Sequence, residues 1–584
     1  MAPGVAVGMR RLAVIDVEGG HQPVWNERRD IAVVMNGEVY NYVELLQQAR
    51  ARGHTLASRS DTEAVVHLYE DLEVEAVGAL RGMFAIAIVD HQRRRLVLFR
   101  DRFGKKPLYL ARTPSEGLLF ASELKALLPL MRQAGITPEI DRTAIYDFLS
   151  LGAVPQPTTA YLGVRALPPG HRLIADDDGI REERYWSATF EPKLRLSYAE
   201  AQERVRQEVA DAVRIRLRSD VPLGVFLSGG IDSSVVAYEA TRHVGDTLQT
   251  FTIGTDDPVG DESAVAARTA GQLGVSNTVL RLDVDPLRDL STLVQQYDQP
   301  FADPSAIPSL RVASLARQHV TVALNGDGGD ELFGGYRRYV AARHAGAIDW
   351  IPRSWAELLA QRLVERGAAR RSALGFAARW LRGVGMPPAQ RYLAWTSDML
   401  VDADKRPAWK AGSSPRATED VVNATLDARL SPLDRQIAAE IELNLLSALL
   451  VKMDIATAAA SLEGRSPFLD HELADVALRL PAGYRVRAQR TKAVLRDAYA
   501  HVLPTEVLHG TKRGFEVPLA AWLAGPWRPL VQDALGSPDA RVRGFLDDDL
   551  IAKALAGDGF RERNAAYVTY ALLVLELWLR SVPA

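Results

Sequence analysis

The rhythm of hydrophobic and polar positions changes near residue 190. Before it, short apolar runs are separated by charged or glycine-containing turns. Residues 31–35 are continuously apolar, and Asn36-Gly37-Glu38 after them carries a turn signal. Residues 84–89, 95–99, 107–111 and Leu118–Ala121 have the pattern of further strands, neighbours in antiparallel order. Asn41, three residues before Glu44, has capping-box spacing and predicts a helix over Tyr42–Ala51. Beyond Tyr185-Trp186 the period lengthens. Ser197 and Glu200 repeat the capping signal and open an amphipathic helix reaching residue 216. Strands at 221–227, 250–254, 278–282 and 320–324 then alternate with helices at 233–243 and 262–273, the latter stopped by Gly274. Strands separated by helical lengths predict crossover connections and a parallel sheet. Residues 345–440 predict helices rich in Arg, Ala and Trp, with no chemistry-bearing motif.

The 584 residues exceed the roughly 150 of one ordinary domain. Hydrophobic residues at 47% and charged residues at 24% match a folded globular chain. A net charge of −3, from 70 basic and 73 acidic residues, gives no global attraction to nucleic acid or to an anionic membrane. The apolar stretch at 570–579 contains Glu576 and ends at Arg580; a bilayer span takes about 20 apolar residues, so a docking helix is expected. Met1-Ala2-Pro3-Gly4 lacks the basic and apolar regions of a secretory signal, which makes the cytoplasm the expected location. Cysteine is absent from the 584 residues, which excludes disulfides, Cys-ligated zinc, iron–sulfur clusters and a thiol nucleophile among them.

The strand at 221–227 runs into Ser228-Gly229-Gly230-Ile231-Asp232-Ser233-Ser234, which opens a helix. Glycines admit backbone N–H groups close to a phosphate, serine hydroxyls add donors, and a helix N-terminus adds its positive end. No lysine follows the glycines, so this is not the loop that holds β- and γ-phosphates for γ-transfer. Asp232 inside the loop repels phosphate unless Mg²⁺ lies between them. A Gly-Gly pair alone is also compatible with a plain strand-to-helix turn. A second cluster, 325–336 (Asn-Gly-Asp-Gly-Gly-Asp-Glu-Leu-Phe-Gly-Gly-Tyr), follows a later strand of the same sheet and lies at the same carboxyl edge, where open α/β sheets bind ligands.

These two loops, with Asp261-Glu262-Ser263, residues 300–305, Lys452-Met453-Asp454, residues 461–471 and Lys512-Arg513-Gly514-Phe515, resemble the synthetase domain of B-type, glutamine-hydrolysing asparagine synthetases. The resemblance implies an α/β parallel-sheet ATP pyrophosphatase domain over 197–584, with a helical C-terminal part. It also implies ATP as cosubstrate with Mg²⁺, and aspartate converted to a β-aspartyl-AMP that ammonia resolves to asparagine. In that family Asp232 and Asp330 correspond to the Mg²⁺ ligands. Leu227, Ser228, Gly229, Gly230, Ser233, Ser234, Ile253, Asn325 and Gly326 correspond to nucleotide contacts, with Lys452 and Lys512 as further ones. Lys492 aligns with the catalytic lysine, and Asp327 and Arg465 complete the catalytic candidates. Asp327 departs from the glutamate many relatives carry, keeping the acid with a shorter reach.

Residues 1–190 resemble a class II glutamine amidotransferase domain, an α+β N-terminal-nucleophile hydrolase sandwich, through residues 10–16, Gln22-Pro23, residues 36–42, 59–63, 82–85 and 100–109. The resemblance implies that Arg11 and Asp61 hold glutamine's carboxylate and amine, that Asn36 and Gly37 form the oxyanion hole, and that Glu38 belongs to the same pocket. The family's nucleophile is an N-terminal cysteine, and Ala2 offers no nucleophilic atom. The match begins near Gly8, where relatives are already some tens of residues in, so the sandwich is expected to be incomplete. Two accounts stand: a start placed at an internal codon, or a shortened synthetase fed by free ammonia. Arg11, Asn36-Gly37-Glu38 and Asp61 favour the first. The expected activity is ATP-dependent asparagine synthesis, with nitrogen from glutamine in the complete enzyme and from ammonia in this chain. Family members often form homodimers. Two other readings stay open: amidation of another carboxylate in a polysaccharide or natural-product pathway, and a non-catalytic nucleotide-binding regulatory subunit.

Overall fold

The computed structural model describes residues 4–582, apart from 255–260, 282–284, 348, 366–371, 413–414, 511–516, 558–559 and 561–563. Nine strands precede residue 190: β1 (Val24–Trp25), β2 (Ile31–Val39), β3 (Gly82–Asp90), β4 (Arg95–Arg100), β5 (Tyr109–Arg112), β6 (Leu118–Ala121), β7 (Val164–Ala166), β8 (His171–Asp176) and β9 (Gly179–Arg184). They form an antiparallel six-stranded sheet in the order β1-β2-β3-β4-β8-β9 and an antiparallel three-stranded sheet in the order β6-β5-β7. Side-chain alternation explains the layering. Val33, Met35, Phe84, Ile86 and Ile88 face the helices Tyr42–Ala51 and Asp61–Leu72. The intervening Ala32, Val34, Ala85 and Ala87 face Leu108, Leu110 and Leu167 of the smaller sheet and its flanks. That sheet's other face packs on Leu124, Leu127 and Met131 of the helix Leu124–Gln133. The result is the expected α+β sandwich of two sheets between helices.

Two local expectations are corrected. Asn36-Gly37-Glu38 is not a turn but lies inside β2, opposite Ala85, Phe84 and Met83. Gly37 takes φ +128°, and a Cβ there would lie 2.8 Å from the Phe84 Cα, so glycine serves cross-strand approach rather than chain reversal. The helix at Tyr42 forms, but the Asn41–Glu44 capping box does not. Asn41 Nδ2 donates to the Ala79 carbonyl (2.9 Å) and its Oδ1 accepts from the Arg81 N–H (2.9 Å), while Glu44 pairs with Arg218. The box at Ser197 and Glu200 is present and opens the helix Tyr198–Ile215.

The second sheet contains β10 (Leu223–Phe226), β11 (Gln249–Gly254), β12 (Ser276–Arg281), β13 (Val322–Leu324) and β14 (Glu463–Arg465), all parallel, in the order β12-β11-β10-β13-β14. The expected strand end at 282 falls outside the described residues. β14 was not anticipated as a strand. From β10 the chain crosses to one side for β11 and β12, then returns to the other side for β13. The order therefore reverses between β10 and β13, a switch point that opens a crevice at their carboxyl ends.

Residues 345–440 are largely helical. The segments Pro432–Glu440, Ile441–Leu449 and Leu450–Ala459 follow without a break, the middle one π-helical. The C-terminal helix Ala565–Ser581 buries Leu572, Leu573, Leu575 and Trp578 in a core that also contains Ile145 and Phe148 of the first half. Among the described residues no helix is long and apolar enough to cross a membrane.

The halves also meet through buried charge. Arg465 donates to both Glu38 oxygens, from Nε at 2.6 Å and Nη2 at 2.5 Å. Lys106 Nζ reaches Asp454 and Glu463, each at 3.0 Å, and Lys105 Nζ donates to the Ser466 hydroxyl at 3.0 Å. Asp470 receives both Arg81 and Arg216 at 2.8 Å.

Candidate active site

The crevice at the switch point is a cavity of about 570 Å³ lined by both glycine-rich loops. Its geometry follows from strand register: Val225 of β10 stands beside Leu324 of β13, so the loops leaving these strands emerge side by side. Within the first loop, Gly230 N–H donates to the Ser228 hydroxyl (3.1 Å) and Ser228 N–H to the Ser233 hydroxyl (3.0 Å), which curls the backbone. The helix Ile231–Val244 then starts with no side-chain cap at Gly230. Its first N–H groups and positive end are directed at the cavity, the arrangement that receives an anion. One donor is already engaged: Gly229 N–H donates to Glu262 Oε2 at 3.0 Å.

The second loop supplies charge rather than donors. Lys492 Nζ lies 2.5 Å from Asp232 Oδ2 and 2.6 Å from Asp330 Oδ1, so one ammonium joins the two loops. Three glycines make room for the trio. A Cβ at Gly329 would fall 2.6 Å from Asp232 Oδ1, one at Gly326 2.8 Å from Asp232 Cβ, and one at Gly335 inside the envelopes of Asp330 Oδ1 and Lys492 Cε. Lys492 is buried and holds φ +53° immediately before the helix Ala493–Ala498. Such a conformation costs a non-glycine residue on the order of 1–3 kcal/mol and persists where the surroundings impose it. Next to the trio, burial and the adjacent Asp330 charge push the Glu331 carboxyl up, while it accepts the Tyr336 hydroxyl at 2.7 Å.

Leu227, Ser228, Gly229, Gly230, Asp232, Ser233, Ile253, Asn325, Gly326, Asp327, Asp330, Lys452 and Lys492 all line this cavity. Lys452 is held at its wall, donating to Asp303 Oδ2 and the Ser305 hydroxyl, both at 2.8 Å. Although burial opposes it, this ammonium keeps the Asp303 carboxyl below its ordinary range. Two expectations are corrected. Ser234 is fully buried with its hydroxyl on the Gly230 carbonyl (2.8 Å), so it closes the first helical turn instead of facing a nucleotide. Arg465 is fully buried and committed to Glu38 and to the Arg216 and Arg218 carbonyls, which removes it from the reacting centre. Lys512 lies outside the described residues.

The residues expected to hold glutamine have other partners. Arg11 donates to the Ile15 and Asp16 carbonyls. Asn36 Nδ2 donates to the Ser122 hydroxyl (3.2 Å), and Gly37 is fixed in β2. Asp61 accepts from the Val39 and Thr62 N–H groups, both at 3.0 Å, and burial with the nearby Glu38 charge pushes its carboxyl up to about 7. The expectation for Glu38 is corrected: both its oxygens are taken by Arg465.

Sequence reasoning missed Glu262 as a partner of the loop N–H, and missed Asn444 and Leu449, which the π-helical segment brings to the cavity wall. π-Helical turns recur at functional sites, and no residue pattern at 441–449 announces this one.

The sequence model of the Asparagine synthase family matches residues 204–580, and that of the Glutamine amidotransferase domain matches residues 1–186. Asparagine synthetase [glutamine-hydrolyzing] 1 of Bacillus subtilis is 32% identical over 98% of this chain and 89% of its own length. A putative asparagine synthetase [glutamine-hydrolyzing] of Mycobacterium bovis is 36% identical, covering 92% and 83%. Amidase chry2 of Gibberella zeae is 28% identical, covering 95% and 87%. With the parallel-sheet cavity and the sandwich ahead of it, these matches show that the chain belongs to the asparagine synthase family, ligases that form carbon–nitrogen bonds.

Proposed function

We propose that this chain activates the side-chain carboxylate of aspartate with ATP and converts it to asparagine. The observation that carries the reading is the Asp232–Lys492–Asp330 trio set against an uncapped helix N-terminus in one cavity. The aspartate oxygen attacks the α-phosphorus, the bond from that phosphorus to the bridging oxygen breaks, and pyrophosphate leaves. The nitrogen of ammonia then attacks the acyl carbon and AMP departs. The N-terminus at Ile231 and the loop N–H groups bind phosphate oxygens, and Lys492 offers its charge to the departing pyrophosphate. We assign to Asp327, on the same wall, the proton released as nitrogen attacks. For phosphate to use the Gly229 N–H, the Glu262 carboxylate has to leave it.

Mg²⁺ fits the donor set. Asp232 Oδ1 is buried with no hydrogen-bond partner among the described residues, and the Asp330 carboxylate converges on the same ammonium. Two carboxylates plus phosphate oxygens are the hard ligands this ion takes. Bound there, it would neutralise phosphate charge beside Asp232 and Asp330.

The test is pyrophosphate release by the purified chain with ATP, ammonia and a panel of carboxylates. The expected result is aspartate-dependent release with AMP and asparagine in equal amounts, abolished by Asp232→Asn. Release that ignores aspartate but responds to another carboxylate would transfer the reading to a different acceptor, which the likeness to Amidase chry2 favours as the second choice. Binding of ATP without turnover would leave a regulatory protein.

A further inference from the structure

A second cluster of ligating side chains lies on the amidotransferase-like half, on the helical face of the six-stranded sheet. Glu27 follows the edge strand β1, His54 lies in the loop after the helix Tyr42–Ala51, and His67 and Glu70 share one face of the helix Asp61–Leu72. One donor atom from each lies within 4.8 Å of the other three. Four of the separations are His67 Nδ1 to Glu70 Oε2 at 3.0 Å, His54 Nδ1 to Glu27 Oε1 at 3.2 Å, His54 Nδ1 to Glu70 Oε2 at 3.5 Å and His67 Nδ1 to Glu27 Oε2 at 3.6 Å. A tetrahedron with arms of about 2.0–2.1 Å has edges of roughly 3.3 Å; the two Glu27 distances are to different oxygens, so with Oε1 as its donor three of the four count as edges, at 3.0, 3.2 and 3.5 Å.

The outer nitrogens of the two rings decide what the inner ones offer. His67 Nε2 faces Glu63 Oε1 at 3.1 Å and His54 Nε2 faces Asp71 Oδ1 at 3.2 Å. Where each of these carboxylates accepts an Nε2–H, the neutral ring is left with a lone pair on Nδ1. That lone pair points at carboxylate oxygens, a repulsion unless a cation lies between. This is the carboxylate–histidine–metal relay found around protein metal sites. Protonating both inner nitrogens instead would put two imidazolium rings with centroids 4.6 Å apart. The carboxylates are also oriented. Glu70 Oε1 is held by Asn26 Nδ2 at 2.8 Å and Arg28 at 3.3 Å, which turns Oε2 toward the rings, and Glu27 Oε1 accepts the Thr55 N–H at 2.8 Å.

We propose that Glu27, His54, His67 and Glu70 form a tetrahedral site for a divalent transition metal, zinc by preference, that pins the edge strand and the 52–57 loop to the helix Asp61–Leu72. Two imidazoles and two carboxylates with no thiol suit zinc or cobalt(II). Two glutamates balance the ion's charge, and four protein ligands leave no open position, so the role is structural.

The full chain, stripped with chelator and returned to buffer with excess Mg²⁺ to occupy carboxylate sites elsewhere, is titrated with zinc and passed through gel filtration, and metal is counted by mass spectrometry. One zinc per chain is expected in the wild type and in Asp232→Asn. His54→Gln and Glu27→Gln, both near the surface, are expected to bind at least tenfold more weakly with unchanged circular dichroism. Glu63→Gln, which keeps all four ligands, is expected to weaken binding about 10- to 100-fold. Cobalt(II) in place of zinc gives the intense visible absorption of tetrahedral coordination. Sub-stoichiometric zinc in the wild type, wild-type affinity in both His54→Gln and Glu27→Gln, or a weak octahedral cobalt spectrum overturns the proposal.

Discussion

Replacing Glu38 with glutamine tests whether the Glu38–Arg465 pair is structural. The Glu38 side chain is 5% exposed and that of Arg465 0%, and Glu38 accepts two of the four hydrogen bonds from the guanidinium. Glutamine keeps one acceptor oxygen but removes the negative charge, leaving a buried cation hydrogen-bonded to an amide and two backbone carbonyls. Breaking a buried ion pair from one side costs about 3–5 kcal/mol, whereas removing both charges together costs far less. The retained acceptor places E38Q near the lower end, about 3 kcal/mol. The halves share a core and melt as one unit, and at roughly 2.1 cal/mol/K per residue the 584 residues have an unfolding entropy of about 1.2 kcal/mol/K, so the melt should fall by about 2–3 °C. Scanning calorimetry of E38Q, R465M and the double variant reads this directly, and the double variant should melt above E38Q. A side chain serving only to hold ligand would leave the ligand-free melt in place. An E38Q transition within about 0.5 kcal/mol of wild type, or a double variant as damaged as the sum of the singles, would refute the structural assignment.

Lys492→Met removes the shared cation of Asp232 and Asp330; turnover should drop about 10²–10³-fold, and pyrophosphate exchange into ATP would show whether the loss falls on adenylate formation. Gly335→Ala puts a methyl group where Asp330 Oδ1 and Lys492 Cε now sit, so at least tenfold loss of activity with an intact circular dichroism spectrum is expected. Asp61 is held up from 3.8 to about 7, so between these values the folded chain binds a proton the unfolded chain has lost. Stability therefore falls as pH rises through that window, by on the order of 1.4 kcal/mol per unit at steepest, and levels above it. Urea unfolding should show Asp61→Asn flattening that slope, and an identical slope in the variant would count against the buried proton.

Much of the fold was legible because its signals are local. Short apolar runs bounded by turns located β2 to β6, and β10, β11 and β13 stood out as apolar segments followed by glycines or helix starts. The glycine-rich loops were legible as a pair because register puts strand ends together whenever the sheet is parallel. What failed was decided at long range. Asn36-Gly37 carries a turn signal, yet the backbone of β3 needs a residue without a side chain there. Asn41 has the composition of a cap, but the Ala79–Arg81 backbone claims its amide. β14 is three residues, Glu-Gly-Arg, whose charges are buried because Lys106 and Glu38 lie opposite them, hundreds of positions away in sequence. Glu38 and Arg465 were singled out for separate pockets; only the folded chain shows that they belong to each other.

The ionic seam between the halves restricts how such enzymes can be recombined. Exchanging residues 1–190 for the corresponding part of a relative would carry away Glu38, Arg81, Lys105 and Lys106 while leaving Arg465, Asp470, Ser466, Asp454 and Glu463 behind. A hybrid whose incoming half supplies an apolar side chain at any one of these places would strand its former partner in a dry interface. Donors chosen by overall identity should then yield poorly joined proteins, whereas donors matched at this handful of positions should assemble even when the remaining surface has diverged.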